Sequence, residues 1–106
     1  MSEVNVAVTF RHTEPTDALK RYAEEKVHRI GKYFSRPLEA HVVLSIDSKE
    51  LQVAEVELHT HGGTLIHGKE QTEDLYSAID LVMDKIERQV KKHKGKNKLV
   101  RRRAKA

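Results

Sequence analysis

The 106-residue chain contains no cysteine. That absence removes disulfides, thiolate zinc sites and cysteine nucleophiles from its chemistry, and it fits a reducing compartment. Aromatic residues are scarce as well, at 5% of the chain, which leaves few rings for stacking against bases. No stretch approaches the roughly 18 consecutive apolar residues of a membrane-spanning helix. The N-terminus, MSEVNVAVTF, carries Glu3 and alternates apolar with polar residues, where a secretory signal has a basic start and an unbroken apolar run. Neither a Walker-type phosphate loop nor a nucleophile elbow occurs. The expectation is a cytoplasmic protein, neither membrane-bound nor an enzyme, with no cofactor and no small-molecule substrate.

Negative charge is missing from one end. Residues 1–84 hold 9 Lys or Arg against 15 Asp or Glu, a net −6, whereas residues 85–106 hold 11 against a single Glu87, a net +10. The overall +4 conceals this segregation, which is the pattern of a chain with a polyanion-binding end. Hydrophobic residues at 38% suffice for one modest core, and the length fits one domain.

What is present reads as an alternation of strand and helix periods. Val4, Val6, Val8 and Phe10 recur every second residue and predict a first strand. Thr16 is a good N-cap, and Leu19, Tyr22, Ala23, Val27, Ile30 and Phe34 then follow helical spacing, predicting a helix over about 16–33. Ala40, Val42, Leu44 and Ile46 predict a second strand, and Ala54, Val56 and Leu58 the inward face of a third. Leu51 and Val53 have the opposite parity, which predicts a bulge or an edge. Gly62-Gly63 marks a hairpin, TLIHGKE a fourth strand, and Thr72 the cap of a second helix. In that helix Leu75, Ile79, Val82, Met83, Ile86 and Val90 occupy an arc of about 100°. The fold class is therefore α+β, with order β-α-β-β-β-α and two helices on one face of a mainly antiparallel four-stranded sheet. Residues 1–94 form the domain, and 95–106 are expected to be a flexible basic tail.

With Leu75 at zero, Lys85, Arg88 and Lys92 fall at about 280°, 220° and 260°, off the apolar arc. With Leu19 at zero, Arg21, His28, Arg29 and Lys32 fall between about 180° and 280°. Exposed lysine and arginine ordinarily serve solubility. Here they accumulate where carboxylates vanish, so nucleic acid is the expected partner, with an acidic protein or a membrane surface as lesser alternatives. Phe10, Tyr22 and Phe34 are accounted for by the core, so contacts to phosphate and shape are expected rather than base reading. His59 and His61 form H-x-H beside His67 and His41. Such spacing suits zinc or copper, yet without a fixed carboxylate or thiol it reads as an ordinary strand surface. Glu24, Glu25, Glu55 and Glu57 form no shielded acid/base pair.

The segments ALKRYAEEKVHRIGKYF and DLYSAIDLVMDKIERQVKKHK, with the Gly-Gly hairpin between them, resemble the short ribosome hibernation promoting factor and ribosome-associated inhibitor family over about residues 4–94. The most specific part is D-x-Y-x-A-I-D, here Asp74, Tyr76, Ala78, Ile79 and Asp80. The resemblance implies a domain that plugs the messenger and transfer RNA channel of the small ribosomal subunit and silences idle ribosomes in stationary phase or stress. It implies ribosomal RNA contacts at Lys26, Arg29, Lys85, Arg88, Lys92 and Lys94. The stripes add Arg21, His28, Lys32 and Lys91, and the tail adds Arg101, Arg102 and Arg103 as an arm ordered on binding. Lys26, at about 340°, lies close to the apolar arc and must snorkel to reach solvent. Partners implied are the small subunit, the intact ribosome and a ribosome modulation factor. The alternative is a general RNA- or DNA-binding regulatory module. Long-form members of the family carry a second, dimerisation domain; a short form without it is expected here, although KNKLVRRRAKA exceeds the minimal short form.

Overall fold

A computed structural model describes residues 3–105, with side chains described from Glu3 to His93. The elements are β1 (Val4–Arg11), α1 (Asp17–His28) continued by a 3-10 turn (Arg29–Tyr33), β2 (Leu38–Ser48), β3 (Leu51–His59), β4 (Leu65–Thr72) and α2 (Leu75–Lys105). The sheet order is β1-β2-β3-β4. β1 runs parallel to β2, and the other two pairings are antiparallel. This is the expected α+β arrangement, and the parallel pair follows from α1, because a crossover helix returns the chain to the same end of the sheet.

The period of two sends Val4, Ala40, Val42, Leu44, Ala54, Val56, Leu58 and Ile66 inward, where they meet Ala23, Val27 and Ile30 of the first helical segment. Leu75, Ala78, Ile79, Val82, Met83, Ile86 and Val90 of α2 complete the core. All six positions of the arc read from the sequence are buried, and Ala78 joins them. α2 settles closely on β4 because Gly68 has no side chain: a Cβ there would stand 3.1 Å from Ile86 Cδ1 and 3.2 Å from Val82 Cγ2.

Several details refine the sequence reading. The irregularity predicted near Leu51 and Val53 lies across from them: the register slips between Ile46 and Ser48 of β2, and Asp47 there meets the His12 ring at 2.9 Å. The hairpin at Gly62-Gly63 is present, with Gly63 at φ 85°, a conformation that costs glycine nothing. α1 is capped by the Thr16 side chain, which accepts from Leu19 N–H at 3.2 Å. The second helix is capped by Asp74 rather than Thr72. The Asp74 carboxylate accepts from Ser77 N–H at 3.2 Å, while Thr72 forms a turn with Asp74 just before it. Gln52 of β3 accepts from Leu75 N–H at 3.1 Å and satisfies another free donor of that first turn. The α2 backbone continues to Lys105, through the segment expected as a tail.

Candidate nucleic-acid interface

The two helices lie side by side and run in the same direction, since contacts progress along both together: Tyr22 to Tyr76 and Asp80, Lys26 to Asp80, Tyr33 to Glu87. The Tyr22 hydroxyl donates to Asp80 Oδ1 at 2.5 Å, and Lys26 Nζ lies 3.2 Å from the same oxygen. The ammonium also sits 5.4 Å from the Tyr22 ring centroid, a cation over a π face. Tyr76 meets Tyr22 edge to face, with centroids 5.0 Å apart and planes at 77°. The Tyr33 hydroxyl donates to Glu87 Oε2 at 3.1 Å.

These contacts set the titration of the seam. The hydrogen bond from Tyr22, followed by the nearby Lys26, holds the Asp80 carboxyl below the usual carboxylate range against an opposing effect of burial. The hydrogen bond to Asp80 raises the Tyr22 phenol above its ordinary value, aided by burial and by the Asp80 charge.

The cations divide into a paired and an unpaired set. Lys26 is taken by Asp80, Lys85 by Glu70 of β4 at 3.6 Å, and Lys91 by Glu87 one turn earlier at 3.6 Å. His28 hydrogen-bonds through Nε2 to the Val4 carbonyl oxygen at 3.0 Å, tying the end of α1 to the start of β1. Lys32 rests against the Tyr33 ring at 5.2 Å. Among the described residues, Arg21, Arg29, Arg88 and Lys92 are exposed and have no carboxylate partner. The side chains of Lys94, Arg101, Arg102 and Arg103 lie outside the described residues.

Arg21, Arg88 and Lys92 stand outside the inter-helix seam, whereas Arg29 borders it closely enough for its charge to act on the Tyr22 phenol. Asp80 and Glu87 turn toward α1, whereas Lys85 and Gln89 turn toward β4, the latter donating to the His67 carbonyl at 2.9 Å. Arg88 and Lys92 share that outer shoulder at about 220° and 260°. The helix layer thus carries a basic stripe on each helix, interrupted by the exposed Glu25 on α1 and Asp84 on α2, with the paired Asp80 and Glu87 between them.

The histidines are dispersed by contrast. His67 Nε2 meets Glu55 Oε2 at 2.7 Å, His59 Nε2 lies 3.6 Å from Glu57 Oε2, and His41 bonds to Thr9 Oγ1 at 2.9 Å. His61 sits in the hairpin turn. No three His, Asp or Glu side chains converge as metal ligands among the described residues. No helix of the described residues is long and apolar enough to cross a membrane.

The family model described as Sigma 54 modulation protein / S30EA ribosomal protein matches residues 6–98. The chain belongs to this family. It is 38% identical over 93 residues to the ribosome hibernation promoting factor of Azotobacter vinelandii, covering 88% of this chain and 85% of the relative. The Escherichia coli K12 protein of the same name is 36% identical over 91 residues, covering 86% and 94% of the two chains. Among solved structures, the N-terminal domain of Thermus thermophilus Protein Y superposes with a TM-score of 0.76 at 35% identity, covering 86% of this chain and 98% of that one. A ribosomal subunit interface protein from Coxiella burnetii gives 0.72 at 26% identity, covering 90% and 99%. Hibernation factors of the S30EA family are binding proteins without enzymatic activity.

The family's D-x-Y-x-A-I-D run now has a physical account in this chain. Asp74 caps α2, Ala78 and Ile79 enter the core, and Tyr76 and Asp80 brace α1. The sequence by itself assigned neither Tyr76 nor Asp80 a partner. The available signal was their i, i+4 spacing, which puts both on one flank of α2 beside the apolar arc.

Proposed function

We propose that the chain is a cytoplasmic ribosome hibernation factor that occupies the messenger and transfer RNA channel of the small subunit and silences translation in stationary phase or stress. The observation that carries this reading is the unpaired set Arg21, Arg29, Arg88 and Lys92 on the helix layer, beside carboxylates already neutralised by Lys26 and Lys91. Such a layer offers positive charge to a polyanion without repelling it at the seam. The names borne by the relatives supply the ribosome as the source of that RNA. The mechanism is steric. Phosphate contacts hold the domain, its shape selects the channel, and no bond is made or broken.

In this reading Arg21, Arg29, Arg88 and Lys92 are the primary ribosomal RNA contacts. Lys32, Lys85 and Lys91 add charge from secondary positions, and Lys94, Arg101, Arg102 and Arg103 extend the outer ridge. Lys26 and His28 act within the fold, and they contribute to RNA binding only by exchanging their present partners. Sedimentation with ribosomal subunits and intact ribosomes through sucrose tests the proposal. Salt-sensitive association with the small subunit, displaced by transfer RNA, is expected. Equal binding to any RNA or DNA duplex would replace it with a general nucleic-acid module. The same gradients show whether ribosomes pair or stay single, and whether a modulation factor is needed for pairing.

A further inference from the structure

The helices cover one face of the sheet, and among the described residues no layer covers the other. Four cross-strand rows make up that outer face: Asn5, Glu39, His59 and Leu65; then Ala7, His41, Glu57 and His67; then Thr9, Val43, Glu55 and Lys69; then Arg11, Ser45, Val53 and Gln71. Its first two rows, with Glu3 beside them, carry Glu3, Glu39 and Glu57 and no lysine or arginine. Leu65 is 55% exposed at one border. A hollow of about 370 Å³ opens where Ala7 is small, lined by Asn5, Val6, Glu39, Ala40, His41 and His59. This half of the face combines negative charge, an exposed leucine and an open depression. It is the opposite in sign of the helix layer.

The same chain supplies a segment of complementary chemistry. Residues 94–106, KGKNKLVRRRAKA, hold seven lysines and arginines, no carboxylate side chain, and the aliphatic pair Leu99-Val100. α2 is buried against the core only as far as Val90, and its backbone then runs on as helix to Lys105. Fifteen residues of helix beyond that point extend about 22 Å. They start from the helix layer and continue along its axis, so a chain's own segment is carried away from its outer sheet face. A second copy has no such restriction.

We propose that the outer sheet face of one copy holds the basic segment 94–106 of a second copy, and that two copies exchange these segments reciprocally. Glu3, Glu39 and Glu57 receive the cationic side chains, and the hollow beside Ala7 receives the aliphatic pair. Reciprocal exchange closes the assembly at two chains instead of propagating a filament. Since the segment is the same one assigned above to RNA phosphates, self-association and RNA binding draw on one group of cations. Ribosomes therefore dissolve the dimer, a consequence that rests on the proposed function, while the dimer itself does not.

The test uses full-length protein freed of nucleic acid, with mass measured by light scattering on a sizing column at about 100 µM protein. The wild type is expected to be dimeric at about 50 mM salt and monomeric at about 500 mM, where exposed charges are screened. A face variant, Glu39→Lys with Glu57→Lys, places cations on both surfaces. A segment variant, Lys98→Glu and Lys105→Glu with Arg101→Glu, Arg102→Glu and Arg103→Glu, makes the segment net negative and so places carboxylates on both. Each alone is expected to be monomeric at low salt. Mixing the two restores opposite signs at both contacts and is expected to bring back the dimer. Monomeric wild type at low salt, a dimer from either variant alone, or a mixture that stays monomeric would each overturn the proposal. A thermal melt of each variant within a few degrees of wild type shows that the fold is kept. No ribosome enters the measurement, so its failure and a failure of the hibernation reading are distinguishable.

Discussion

Asp80 accepts from Tyr22 and pairs with Lys26, so one carboxylate ties two turns of α1 to α2. Its proton is bound less tightly in the folded chain than in the unfolded one. Its contribution to stability is therefore present above about pH 4, the unfolded carboxylate value, and is lost as pH falls through the lower folded value. The Tyr22 phenol is shifted upward, so its contribution is present below about pH 10 and is lost as pH rises through the folded value. Tyr22→Phe removes the bond. The expected stability difference is about 1 kcal/mol or less, because Asp80 is 47% exposed and solvent screens the pair. Urea denaturation of wild type and variant should show that difference flat over about pH 5–9 and shrinking toward either extreme. A difference unchanged at about pH 2 would show that Tyr22 acts through packing alone. The sequence made Lys26 legible as a cation forced to snorkel, but its partner was invisible there. Asp80 lies 54 positions away, and only the docking of the helices brings the two together.

At the scale of elements, the periods of 2 and 3.6 sufficed to order the strands and helices, because a side chain's face follows from spacing alone. Terminal details depended on competition between neighbours. Thr72 and Asp74 are both good cap residues, and the carboxylate won because its position reaches Ser77 N–H. Asp74→Ala should therefore cost about 1 kcal/mol in a denaturation experiment. The contact of α2 with β4 was legible only as a glycine inside a strand, a sign of close approach by another element. At Gly68 the crowding atoms are the side-chain ends of Ile86 and Val82, which can yield by a few tenths of an ångström. Gly68→Ala is expected to cost about 1 kcal/mol, and Gly68→Val about 1–3 kcal/mol through forced repacking. Ile86→Ala, which empties the same contact from the opposite side, should cost about 2–5 kcal/mol. Thermal melts rank these variants, and Gly68→Val as stable as wild type would refute the close approach.

For the whole molecule, the separation of charge along the sequence becomes a separation in space. Among the described residues, Arg21, Arg29, Arg88 and Lys92 of the helix layer form no ion pair, and the chain continues from it into seven further cations after His93. Composition revealed the basic end, but it could not show that Lys26, Lys85 and Lys91 are already occupied. The salt dependence of ribosome binding measures how many cations act. Each phosphate neutralised contributes about −0.7 to −0.9 to the slope of log K against log salt. Four unpaired side chains thus give a slope of about −3, and the segment after His93 steepens it by as much as about −6 more if every cation is engaged. A chain ending at His93 retains every buried residue through Val90, so its melting temperature should stay within a few degrees of wild type. Its slope should fall back to about −3, and Arg88→Glu with Lys92→Glu should reduce that remainder by about 2. Equal slopes for the full and shortened chains would assign the segment no part in holding RNA. A slope near −3 that survived both charge reversals would move the interface off the outer shoulder of α2.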